Sequence, residues 1–164
     1  MKIRGFTLIE LVVTVAIVSI LATVALPMLQ LSVQRAKESE LRANLRQIRE
    51  AIDAYKKLAD TENGPIKKIV GQSGYPPNLE ILVTGVVDEK DPKKHKIRFL
   101  RRIPLDPMQP VNQDDNKSEQ DLLNNWGLRS YNSEASHPAE GDDVYDVYSK
   151  SEQVGINGVP YKQW

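Results

Sequence analysis

Twenty-four consecutive residues without a charge, from Leu11 to Gln34, constrain this chain more than any other feature. As a helix the run would measure about 36 Å, against a bilayer hydrocarbon core of about 30 Å. Lys2 and Arg4 stand ahead of it, and basic residues on a short flank tend to keep that end cytoplasmic while the rest is exported. A secretory signal peptide would share the basic start and apolar centre, with cleavage after Thr23-Val24-Ala25. A plain single-pass anchor would share them too. Glu10, near the start of the run, fits neither well. A carboxylate at the bilayer centre costs about 2.5–3.5 kcal/mol on insertion scales, so an acid kept there points to a function.

The residues around that acid form a recognisable set. Gly5-Phe6-Thr7-Leu8-Ile9-Glu10-Leu11 resembles the prepilin cleavage motif of type IV pilins and type II secretion pseudopilins. The resemblance implies cleavage after Gly5 by a prepilin peptidase and N-methylation of the new terminus at Phe6. It also implies that Glu10 pairs with the terminal amine of a neighbouring subunit. The role is physically coherent, because either charge alone is costly to bury while the two together attract strongly in a low dielectric. Pro27 lies inside the run, where it removes a backbone donor and crowds the preceding turn. A kink or local melting across Ala22–Pro27 is therefore expected, and the family's pilins carry a proline at the matching place.

From Arg35 the pattern becomes amphipathic. Leu41, Leu45, Ile48, Ile52, Tyr55 and Ala59 recur at spacings of four and three, which places them on one helical stripe. Glu38 with Arg42, and Asp53 with Lys57, read as acid-before-base pairs four residues apart. Asn63-Gly64-Pro65 punctuates the end, so one helix of about 80 Å is predicted from Phe6 to Asp60. Tyr75-Pro76-Pro77 leads into a short helix with Leu79, Leu82 and Val83 on its buried side. Trp126–Tyr131 and Val144–Ser149, rich in aromatic and β-branched residues, are the strand candidates, with a third short strand near the C-terminus.

Two of these later segments extend the resemblance. Phe99-Leu100-Arg101-Arg102-Ile103-Pro104-Leu105-Asp106-Pro107 is similar to a segment of the major pseudopilin of type II secretion, and Val144-Tyr145-Asp146-Val147-Tyr148-Ser149 is similar to one of its strands. The polar stretch 108–125 reads as a surface loop inserted before Trp126-Gly127. That family often binds Ca²⁺ in the loop after its last strand. Here the matching loop lacks the family's paired aspartates and offers Ser149, Ser151, Glu152 and Asn157 as the nearest oxygen donors. The other reading is a loop closed by Tyr161 and Trp164 packing down.

Catalytic chemistry is hard to find. The chain has no cysteine and two histidines, His95 and His137, far apart in sequence. No metal triad, charge relay or glycine-rich phosphate loop is visible. Residues 64–110 carry nine Lys/Arg against five Asp/Glu, and 111–164 carry four against ten. In a chain of zero net charge with few interleaved aromatics, that asymmetry orients subunits against one another better than it binds nucleic acid.

The expectations are thus an α+β, pilin-like fold with a long N-terminal helix packed on a small antiparallel sheet. Residues 1–5 form the leader, 6–34 the membrane and assembly helix, 35–62 its amphipathic continuation and 63–164 a periplasmic domain. The resemblance implies a non-enzymatic subunit of a type II secretion pseudopilus in the bacterial inner membrane. Its partners would be further copies of itself, minor pseudopilins, prepilin peptidase, the secretion platform with its ATPase, and membrane lipid, but no nucleic acid. The alternatives are a type IV pilin or competence pseudopilin, and a membrane-tethered binding module that never polymerises. Surface pilins commonly close a C-terminal loop with a disulfide, which a chain without cysteine cannot form.

Overall fold

A computed structural model describes residues 5–68, 71–109 and 123–164. Most of the polar stretch at 108–125 lies outside them, so its expected place as a surface loop is not described. The first element, α1, runs from Leu8 to Asp60 without a break. Pro27 sits inside it, and the local melting expected across Ala22–Pro27 is absent because the helix continues through that turn. The chain divides into two compact units, Met1–Lys37 and Glu38–Trp164.

In the first unit the described side chains from Phe6 to Val33 are exposed. Phe6, Leu8, Ile9 and Ile20 are 81%, 83%, 71% and 69% exposed, and Met28 and Leu29 are nearly as open. Three hydroxyls along it bond back to the helix: Thr14 donates to Leu11 O at 2.9 Å, Ser19 to Val15 O at 2.8 Å and Thr23 to Ser19 O at 2.9 Å. Their hydrogen-bonding needs are thereby met locally, as a hydrocarbon surrounding demands.

In the second unit the predicted stripe is the spine of the core. Leu41, Leu45, Ile48, Ile52, Tyr55 and Ala59 are all buried, together with Leu79, Leu82, Leu100, Ile103, Trp126, Val144, Val147 and Tyr161. Each fully buried aliphatic side chain contributes roughly 1.5–3 kcal/mol relative to exposure. The short helix α2 spans Glu80–Thr84. It starts later than the prolines suggest. Asn78 Oδ1 accepts the Ile81 N–H at 3.0 Å, while the carbonyl of buried Pro76 accepts the Val144 N–H at 2.8 Å.

Among the described residues the strands form two antiparallel pairs, where a single small sheet is expected from the sequence. Strands β1 (Val86–Val87) and β2 (Lys96–Ile97) pair through Val86↔Ile97. Strands β3 (Trp126–Arg129) and β4 (Asp146–Ser149) pair through Trp126↔Ser149 and Gly127↔Tyr148. Gly127 is required there, since a Cβ would fall 2.3 Å from the Tyr148 ring lying across it. The third strand expected near the C-terminus is a single bridge, Val154↔Pro160, followed by a 3₁₀ turn at Tyr161–Gln163. The arrangement is α+β, a long N-terminal helix with small antiparallel sheets, as expected of a pilin-like chain.

Candidate functional site

The N-terminal residues singled out in the sequence are open to their surroundings. Thr7 caps α1: its Oγ1 accepts the Glu10 N–H at 3.3 Å and its carbonyl accepts the Leu11 N–H at 3.2 Å. Gly5 and Phe6 consequently precede the helix, and nothing lies within 4 Å of where a Gly5 Cβ would be. Glu10 occupies the first turn with its side chain exposed. A carboxylate there is favoured by the partial positive charge of the helix N-terminus. Pro27 is likewise exposed, one full stretch of apolar helix further on.

The Phe99–Pro107 segment turns out to knot the core. Leu100 and Ile103 are buried, and Pro104 O accepts the Trp126 indole N–H at 2.8 Å. Asp106, only 2% exposed, accepts the Ser149 hydroxyl at 2.5 Å and the Met108 N–H at 2.8 Å. Arg101 and Arg102 face outward instead. With Glu40, Asn44, Gln47 and Glu50 of α1 they line a groove of about 740 Å³.

Polar contacts also fasten the C-terminal segment to α1. Glu38 is buried, and its Oε1 accepts the Ile156 N–H at 2.7 Å and the Tyr161 hydroxyl at 3.0 Å. Arg49 donates to Asp146 Oδ1 at 2.7 Å, Val147 O at 3.1 Å and Trp164 O at 2.8 Å. Asp146 also accepts from Arg129 at 3.2 Å. The Arg42 guanidinium lies 4.4 Å from the centre of the Trp164 ring. Glu38 and Arg42 therefore each engage the C-terminal segment, a role that their spacing as a pair did not indicate. Sequence reasoning missed Glu38 although a signal was present, since it stands three residues before Leu41 and so continues the buried stripe.

The calcium candidates do not converge. Ser149 is fully buried, donating to Asp106 and accepting the Ser151 N–H at 3.1 Å. Ser151 Oγ accepts the Gln153 N–H at 3.4 Å, Asn157 Oδ1 accepts the Val159 N–H at 3.1 Å, and Glu152 is exposed. Among the described residues no group of three or more His, Cys, Asp or Glu side chains is placed to hold a metal ion. Ca²⁺ takes six to eight oxygens as a rule, whereas the side-chain oxygens of Ser149, Ser151 and Asn157 are engaged in bonds within the fold and Glu152 is exposed apart from them. The residues present do not fit the ion.

At the far end of β3 and β4, Asp143 accepts hydrogen bonds from Ser73 Oγ, Ser130 Oγ at 2.8 Å and the Tyr131 N–H at 2.9 Å. Burial raises this carboxyl, but the bonds from Ser73, Tyr131 and Ser130 together outweigh it and hold it below its ordinary value of 3.8. Tyr75, Tyr131 and Tyr145 cluster beside it with ring centres 5.0–5.7 Å apart. Burial, seconded by the neighbouring Tyr145, pushes the Tyr75 phenol up.

Comparison with known proteins agrees with the exposed N-terminal segment. Residues 1–26 match the family described as the prokaryotic N-terminal methylation motif. The chain is also 31% identical over 107 residues to the type II secretion system core protein G of Pseudomonas aeruginosa. This chain is similar to type II secretion core protein G. The core protein G of Pectobacterium carotovorum is 28% identical over 109 residues. Each match covers 63% of this chain, and 66% and 61% of the two relatives respectively, so the chain spans just under two thirds of their length. No solved structure matches. The motif and both relatives support a major pseudopilin, the recognition to which the Gly5–Leu11 and Phe99–Pro107 segments pointed.

Proposed function

We propose that this chain is a structural subunit of a type II secretion pseudopilus, processed by a prepilin peptidase and polymerised through α1. The carrying observation is the first half of that helix. Its described side chains from Leu8 to Val33 are exposed, yet it begins with a methylation motif and an acid. Among the described residues α1 is the one helix long and apolar enough to cross a membrane. In this reading residues 6–34 wait in the inner membrane, with Lys2 and Arg4 cytoplasmic and residues 63–164 periplasmic. Cleavage after Gly5 frees the amine of Phe6, and Glu10 of a neighbouring copy neutralises it as subunits join. Pro27, through which α1 stays helical in the single chain, is where the helix would yield as subunits are drawn into the fibre.

The function is assembly, not catalysis. An ATP-driven inner-membrane platform would add copies at the base, minor pseudopilins would cap the fibre, and its growth would push exported proteins outward. The relatives are secretion proteins, which favours this over a surface pilin or a competence subunit. The mass of the N-terminal peptide tests the reading. A methylated Phe6 at the start of the mature chain is expected. A start at Leu26 would identify a cleaved signal peptide and overturn it.

A further inference from the structure

The C-terminal loop poses a problem of its own. Residues 150–160 hold little regular structure beyond one bridge, yet the loop is followed by Tyr161, which is 1% exposed in the core. In the family this chain resembles, a loop at this place is often held by Ca²⁺, and the oxygens present here do not make such a site. Something else must keep the loop down.

Glu38 does so by position. Its carboxylate projects from the buried stripe of α1 beneath the loop, at 7% exposure. Oε1 takes the Ile156 N–H from the loop's far bend and the Tyr161 hydroxyl from its end. Hydrogen bonds to an ionised acceptor are roughly twice as strong as neutral ones, and two of them offset the cost of taking the carboxylate out of water. Around this anchor the loop closes on itself. Gly155 donates to Val159 O and Tyr161 to Gln153 O, and the Trp164 indole reaches Val159 O at 3.3 Å. Arg42 and Arg49 then hold Trp164 from α1. Among the described residues no buried side-chain nitrogen or oxygen lacks a hydrogen-bond partner, so the closed loop leaves no buried side-chain donor set awaiting a cation.

We propose that the Glu38 carboxylate takes the place of a bound cation in this chain, fastening the 151–161 loop to α1 so that its fold is independent of calcium. The negative charge a cation would need is already spent on an amide and a phenol. The clamp lies within one compact unit and is made by one chain, so it holds whether or not subunits polymerise.

The test uses the full chain in detergent, with trypsin cleavage after Lys150 and Lys162, which flank the loop, followed by mass spectrometry. The same cleavage rate and the same Tm are expected in excess EGTA and in millimolar calcium. A cation binding the folded loop at a hundred times its Kd would raise Tm by several degrees, and such a rise in the wild-type chain overturns the proposal. Glu38→Ala should speed cleavage at Lys150 about tenfold or more, with no rescue by calcium. Glu38→Gln, which keeps one acceptor oxygen, should fall between. Unchanged cleavage in Glu38→Ala, or its rescue by calcium, also overturns the proposal. Should Glu38→Ala not fold, the wild-type calcium comparison and Glu38→Gln decide.

Discussion

The two halves of α1 obey the same helical geometry and opposite rules of burial. From Leu41 to Ala59 the apolar residues lie on one stripe, and the rest of the second unit covers it completely. From Phe6 to Val33 the large apolar side chains that the structure describes are exposed, and they follow no single stripe. The first pattern is finished by its own fold, while the second can be satisfied only by lipid or by other molecules. The acids on each half differ in the same way. Glu38 has its hydrogen-bond donors within the chain, at 2.7 and 3.0 Å. Glu10 is exposed at the helix start, and in the proposed function its partner belongs to another subunit.

The largest expected effect breaks this comparison at Glu10. Removing one member of a buried charge pair costs about 3–5 kcal/mol. Glu10→Ala should therefore reduce fibre assembly by about two orders of magnitude or more, measured as sheared or cross-linked multimers, while the Tm of the second unit stays put. Wild-type assembly by this variant would make the first half of α1 a tether and nothing more.

Trp126→Ala should do the reverse. It empties the core under the stripe and strips Pro104 O of its donor, at a cost of about 3–5 kcal/mol. Urea unfolding of the full chain in detergent reads this loss. Leader processing, which depends on the first half, should continue unchanged in the molecules that reach the membrane. A processing defect equal to that of a motif variant would show that the halves are not independent.

The smallest effect concerns acid. The folded Asp143 carboxyl sits below its ordinary 3.8, so its contribution is complete above that value and fades as pH falls through the lower folded one. Water screens a partly exposed site, which limits the effect to about 1 kcal/mol or less. Wild-type stability should drop on acidification from about pH 5 to about pH 3 by slightly more than that of Asp143→Asn. An equal drop in both would remove Asp143 from the acid response.

Much of this molecule is written locally. Three-and-four spacing placed Leu41, Leu45 and Ile48 on one face, and that spacing needs no partner to be read. Aromatic residues in Trp126–Tyr131, and aromatic and β-branched ones in Val144–Ser149, marked β3 and β4, and the Gly5–Glu10 motif is a short contiguous string. Strands β1 and β2 escaped notice because two residues each carry no periodicity. The Phe99–Pro107 segment contained Asp106, but its burial and its bond to Ser149, 43 residues away, are not visible in that string.

What the amino-acid sequence determined by itself was therefore the helix, its change of character near Arg35, the N-terminal methylation motif and the likeness to secretion core proteins. Tertiary structure alone decided how the C-terminal loop is held. The partners of Glu38 lie 118 and 123 residues away, and hydrogen bonds over such separations leave no periodic trace in the chain. The resemblance pointed to calcium, but folding brought a carboxylate of α1 beneath the loop, and the charge balance of that corner is set by the packing.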